Sequence, residues 1–181
     1  MKVAVIGAGY VGLVHAYDLA ERGHEVLVID TDKDKINKLK QNILPFFEPD
    51  LSFDFMMTVS FTDTFDKLNG FEPSMIFVAV GTPTDIIDNS ADMSYLKSAM
   101  VSVGRYLHAR DTFGYFPVLI KSTVPIGTAA AMRTHMIANG IAPAAFTIVS
   151  NPEFLREGSA VADARVPERI VFGFENLAMQ D

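Results

Sequence analysis

Short apolar runs alternate with longer amphipathic stretches along the whole chain. Seven runs read as strands: Lys2–Ile6, Glu25–Asp30, Thr58–Thr62, Ser74–Val80, Val118–Ser122, Thr147–Ser150 and Arg169–Gly173. Most are rich in Val, Ile and Phe and are unbroken rather than alternating, the pattern of strands covered on both faces. Helices are predicted over Val11–Arg22, stopped by Gly23, over Lys33–Gln41, with Asp32 as N-cap, and over Ser94–His108 and Ala129–Asn139. Strand–helix alternation implies βαβ units and a parallel sheet. The expected fold is an α/β, doubly wound sheet of about six parallel strands in the order 3-2-1-4-5-6, with Arg169–Gly173 appended. Leu44–Asp54 and Gly81–Asp92 read as loops. The first carries Phe46, Phe47 and Phe53, with Phe55 just beyond, and is either functional or a plug at the core edge.

Composition narrows the class. At 181 residues, 49% hydrophobic and 20% charged, the chain suffices for one domain with its own core and is too short for two ordinary ones. The same figures exclude intrinsic disorder. No apolar run approaches the roughly 18 residues of a membrane span. Met1-Lys2 leads straight into a strand, with no secretory cleavage region behind it. Cysteine is absent, which excludes a disulfide scaffold, a zinc–thiolate site and a cysteine nucleophile within these residues and fits a cytoplasmic protein. Lys+Arg 15 against Asp+Glu 22 gives a net charge of −7, so neither nucleic acid nor an anionic membrane is expected as a partner. A small anion is still admissible, because helix N-termini bind phosphates without net positive charge. His15, His24, His108 and His135 lack metal-ligand spacing; each reads as a surface or packing residue, and no metal is expected.

Candidate chemistry begins at Gly7-Ala8-Gly9-Tyr10-Val11-Gly12, a G-x-G-x-x-G. A strand runs into it, a helix leaves it, and a second strand ends in Asp30, 18 positions after Gly12. In that context Gly7 permits the tight turn, Gly9 lets backbone approach a pyrophosphate, and Gly12 lets the helix pack on the strand. The helix N-terminus offers N–H groups to phosphate, and Asp30 can accept ribose hydroxyls. A carboxylate there favours NAD over NADP, since it repels a 2′-phosphate. Lys33 and Lys35 weigh against this only if they do not lie on a solvated face.

Three later segments fall at predicted strand ends, where ligands bind in open α/β sheets. They are Val80–Pro83, Lys121–Pro125 and Ser150–Gly158. The last is either a functional loop or a helix start with Pro152 at its first position. Val5–Leu13, Val80–Pro83, Ala91–Tyr95, Lys121–Gly127, Ser150–Ala160 and Pro167–Gly173 resemble, in order, the N-terminal NAD-binding Rossmann domain of the UDP-glucose/GDP-mannose dehydrogenase family. Asn151–Gly158 is the most specific of them, and Gly158-Ser159-Ala160 leans toward the UDP-glucose branch.

The resemblance implies oxidation of a sugar nucleotide's C6 alcohol to a carboxylate with two NAD, here UDP-glucose to UDP-glucuronate, a step of polysaccharide biosynthesis. It implies Gly7, Gly9, Tyr10, Val11 and Gly12 around the pyrophosphate, and Asp30 and Lys35 at the adenosine ribose. Thr82, Thr123 and Glu157 would lie along the cofactor toward the nicotinamide. Glu153, Phe154, Leu155, Arg156 and Glu157 would line the sugar-nucleotide pocket. Thr123 and Glu153 would position and activate the water that hydrolyses a thioester. The family carries that thioester on a cysteine that, with its acid–base partners, lies in a central helix and C-terminal substrate domain. These 181 residues contain no cysteine. They are therefore expected to be a single NAD-binding domain that is inactive alone, from a protein that is a homo-oligomer when whole. Leu51–Met57 is shorter and more aromatic than the family's helix, and the turn at Asp88-Asn89-Ser90 lacks the usual glycine. Two rivals remain: a stand-alone NAD-binding regulatory module, and the cofactor domain of another two-domain dehydrogenase.

Overall fold

The computed structural model describes residues 1–54, 58–84, 90–110 and 114–174. The chain runs β1 (Lys2–Ile6), α1 (Tyr10–Glu21), β2 (Glu25–Ile29), α2 (Lys33–Lys40), β3 (Val59–Thr62), α3 (Lys67–Phe71) and β4 (Met75–Val78). It continues through α4 (Ser94–Ala109), β5 (Phe116–Ile120), α5 (Thr128–Ala138), a 3₁₀ turn at Pro143–Ala145, β6 (Phe146–Ser150) and α6 (Ala160–Arg165). All six strands are parallel, in the order β3-β2-β1-β4-β5-β6. This is the doubly wound Rossmann arrangement, and it places the chain reversal between β1 and β4.

The unbroken apolar strands divide their side chains between two cores, because successive residues point to opposite faces. Ala4, Ile6, Ile76 and Val78 pack with Leu96, Met100 and Val103 of α4 and with Met132 and Met136 of α5. Val3, Val5, Val26 and Val28 pack on the other face with Leu13 and Ala16 of α1 and Ile36 and Leu39 of α2. α2 starts at Asp32, whose side chain accepts from the Lys35 N–H.

The appended strand at Arg169–Gly173 is corrected. Among the described residues the segment makes only a single antiparallel bridge, Gly173 to Ser150, through bonds of 2.7 and 2.8 Å. The side chain of Asn151 takes the carbonyl of Val171 at 3.0 Å, where a backbone partner would continue a ladder. Ile170 and Phe172 accordingly stay exposed. β5 lies two residues earlier than the apolar run suggests. It includes Pro117, whose pairing is with β6 alone, since pairing to β4 begins only at Val118.

Candidate functional site

β1 delivers the chain to Gly7, whose N–H donates to the Ile29 carbonyl at 2.7 Å. Gly7 has φ of +105°, and a Cβ there would sit 2.5 Å from the Ala79 carbonyl oxygen. A Cβ on Gly12 would lie 2.0 Å from the Gly7 oxygen, so α1 meets the turn more closely than any side chain permits. Around Gly9 no heavy atom lies within 4 Å of that position. Two glycines therefore shape the turn, while the middle one keeps backbone open to an incoming group. No side chain caps α1 at Gly9 and no acid sits in its first turn, so no residue of the helix itself occupies its N-terminal N–H groups. Tyr10, Val11 and Gly12 are the first residues of that helix.

Asp30 follows β2 and is already organised. Its Oδ2 accepts from the Ala8 N–H at 2.8 Å and from Lys35 Nζ at 2.9 Å, and its Oδ1 accepts from the Asp32 N–H at 2.9 Å. Burial opposes ionisation of Asp30, but the two backbone donors and the Lys35 ammonium outweigh it and hold the carboxyl below its usual range. Lys35 is thus held by Asp30 through one of its three N–H donors, and Lys33 is exposed on α2. A cavity of about 500 Å³ opens here, lined by Gly7, Gly9, Asp30 and Lys35 on one side. Across it stand Phe65 and the α4 face bearing Tyr95, Ser98 and Ser102. The spacing of that face was legible as helical, but the small serines that leave room for a ligand gave no signal of their own.

The later segments meet at the same end of the sheet. The Thr82 hydroxyl donates to the Thr123 carbonyl at 2.7 Å, so these two residues are joined. Ser122 Oγ donates to the Val80 carbonyl at 2.7 Å, tying the ends of β4 and β5. Lys121 Nζ donates to Asn151 Oδ1 at 3.2 Å. Burial pushes the Lys121 pKa down, against the charges of Glu153 and Asp18. Asn151–Arg156 is an irregular loop, not a helix start; α6 begins only at Ala160. Glu153 Oε2 accepts from the Leu155 N–H at 2.5 Å. Arg156 pairs with Asp163 at 2.6 Å, and that hydrogen bond holds the Asp163 carboxyl down to about 2.

A second cavity, of about 850 Å³, is lined by Glu153, Phe154, Leu155 and Arg156 together with His15 and Lys121. Thr82, Thr123 and Glu157 line neither cavity. His15 is a packing residue: its ring meets Phe77 edge-on at 4.3 Å, and burial pushes its pKa down to about 3.

Sequence reasoning missed Glu48, in the aromatic loop. It is 3% exposed. The Tyr10 hydroxyl donates to its carboxylate, as do the N–H groups of Gly158 at 2.9 Å and Ala160 at 2.7 Å. Of the loop's aromatics, Phe46 packs on Tyr10 with centroids 5.0 Å apart, Phe53 packs on Phe61 at 6.5 Å, and Phe47 is exposed. Phe55, Met56-Met57 and the turn residues Asp85, Asp88 and Asn89 lie outside the described residues.

Comparison with known proteins places this geometry. The model of the UDP-glucose/GDP-mannose dehydrogenase family, NAD binding domain, matches residues 1–181. The UDP-glucose 6-dehydrogenase of Rhizobium meliloti is 41% identical over 181 residues, covering 97% of this chain and 40% of that protein. A UDP-glucose dehydrogenase structure from Pyrobaculum islandicum superposes with a TM-score of 0.86 at 35% identity, over 97% of this chain and 41% of that one. A ternary complex of GDP-mannose dehydrogenase from Pseudomonas aeruginosa gives 0.82 at 30% identity, over 97% of this chain and 41% of that one. The chain thus spans about two-fifths of the length of these relatives. With a six-stranded doubly wound sheet, an open glycine turn and an acid at the end of β2, it belongs to the UDP-glucose/GDP-mannose dehydrogenase family as its NAD binding domain, and its cofactor is NAD.

Proposed function

We propose that this domain is the cofactor half of a UDP-glucose 6-dehydrogenase, which oxidises UDP-glucose to UDP-glucuronate with two NAD through a thioester. The cysteine for that step, the central helix and the substrate domain lie outside these residues, and the domain alone turns nothing over. A cytoplasmic setting and a homo-oligomeric whole protein belong to the same proposal.

The N–H groups at Gly9, Tyr10 and Val11 hold the pyrophosphate, in a turn shaped by Gly7 and Gly12. A carboxylate offers about four acceptor positions. Asp30 already uses three, so it takes one ribose hydroxyl and the Lys35 ammonium, with donors to spare, takes the other. Bound NAD supplies the hydride acceptor. Thr82, Thr123 and Glu157 flank the path toward that end of the cofactor, while Phe154, Leu155 and Arg156 line the sugar-nucleotide pocket. Glu153 is held through Oε2 by the Leu155 N–H, which leaves Oε1 to take a proton from water. Thr123 orients that water.

The open cradle at Gly9 beside an ionised Asp30 is what carries this reading. Its test is NADH formation. The purified domain with NAD and UDP-glucose is expected to form none. The whole enzyme is expected to turn over, and its Glu153→Gln and Thr123→Ala forms to stop after a stoichiometric burst. NADH accumulating from the domain alone would show that the chemistry needs no cysteine outside it.

A further inference from the structure

Glu48 is buried, and its carboxylate is far in sequence from the groups that donate to it. Its partners are the Tyr10 hydroxyl, 38 positions away, and the N–H groups of Gly158 and Ala160, 110 and 112 positions away. A buried charge persists only when its acceptor positions are filled, and here donors from two separate segments fill them. The loop adds a second contact to the first segment, through the Phe46 ring on Tyr10.

The consequence falls on Glu157. The residue before it is fixed by Asp163, which accepts from the Arg156 N–H at 3.0 Å. The residue after it is fixed by Glu48 through the Gly158 N–H, and Gly158 itself has a φ of +86°. Glu157 is close enough to Tyr10 for its charge to raise the tyrosine pKa, alongside burial and Glu48, up to about 12. One carboxylate, Glu48, therefore bonds both Tyr10 in the glycine turn and the segment bearing Glu157, while Arg165 ties the far end of α1 to α6 through Glu21 and Tyr17.

We propose that Glu48 is a positioning residue that couples the glycine turn to residues 157–160, so that filling the turn fixes the position of Glu157 and an ordered 157–160 segment favours filling the turn. This rests on the NAD site proposed above. Coupling of this kind is reciprocal, and its usual size is about 5- to 150-fold.

Amide exchange measured by NMR tests it, on the parent, Tyr10→Phe and Glu48→Gln domains, each without NAD and at saturating NAD. In the parent, NAD is expected to slow exchange at Gly158 and Ala160 by at least about fivefold relative to Val5 and Val28 in the sheet. Tyr10→Phe keeps both amide bonds to Glu48 and the ring contact with Phe46, and removes only the hydroxyl bond that ties Glu48 to the turn. Its apo protection at these amides is expected to persist while the slowing by NAD disappears. Glu48→Gln sets an amide N–H₂ against one of the two donors and is expected to lose protection at that amide with the sheet amides unchanged. A role limited to stability would instead shift all amides together. Equal slowing by NAD in the parent and Tyr10→Phe overturns the coupling, as does NAD binding to the parent without any slowing. Calorimetry that finds no NAD binding to the parent overturns the cofactor site as well as the coupling.

Discussion

The fingerprint region and the segment after β6 sit at the same end of one sheet, yet they are built differently. In the turn Gly7–Gly12, backbone crowds Gly7 and Gly12 and leaves Gly9 open, and Asp30 is fixed by donors within five residues of it and by Ala8. After β6, residues 151–174 hold their place by side chains: Asn151 on Val171, Glu153 on Leu155, Arg156 on Asp163 and Gly158 on Glu48. Val166 is 82% exposed and Ile170 62%, beside the larger cavity. The first region is shaped by backbone packed against backbone; the second is irregular chain pinned by side-chain bonds, most of them within residues 151–171 and one reaching Glu48. The proposed NAD site is of the first kind, and the proposed sugar-nucleotide face is of the second.

Glycine substitutions separate the two most strongly. Gly12→Ala drives a methyl into the Gly7 carbonyl and is expected to cost about 3 kcal/mol or more in chemical denaturation. A cost under about 1 kcal/mol would mean that α1 shifts freely and the turn is not rigid.

His15 lies between the regions, on α1 but against the second cavity. Burial, with Lys121 and Arg22 nearby, lowers its pKa from 6.5 to about 3. The unfolded chain therefore binds a proton below pH 6.5 that the folded chain refuses until about pH 3. Stability from this group is present above pH 6.5 and is lost as pH falls toward 3. Between pH 7 and 4 the parent is expected to lose on the order of 2 kcal/mol more than His15→Gln. Parallel losses would place the imidazole in water.

Gly158→Ala meets nothing within 4 Å, so only the strain of its φ of +86° counts. About 1 kcal/mol is expected by denaturation, well below the Gly12 cost. A larger penalty would show the second region to be as tightly built as the first. Smallest of all, Lys33→Ala is expected to leave the NAD dissociation constant unchanged, because that lysine is exposed while Lys35 holds Asp30. A clear weakening would extend the ribose site onto the α2 surface.

What the sequence revealed follows the same division. The strands and the glycine turn are local patterns, and they appear within two residues of where the apolar runs and Gly7–Gly12 put them. α3 and α6, of five and six residues, are too short to show a helical period. The Arg169–Gly173 run looked like a strand because Ile170, Val171 and Phe172 are apolar, but pairing is decided by the neighbour, and Asn151 occupies it. Glu48 was unreadable because each side-chain partner lies 38 or more positions away. Thr82 and Thr123 were legible as hydroxyls at strand ends; that one bonds the other's carbonyl was not.

Calorimetric titration of NAD into the domain and its Asp30→Ala variant tests the central claim most directly. The account predicts saturable binding by the parent, weakened about 10- to 100-fold in the variant, as for losing hydrogen bonds to a charged group. Equal binding by the two would contradict it, because the ribose would then rest on something other than Asp30.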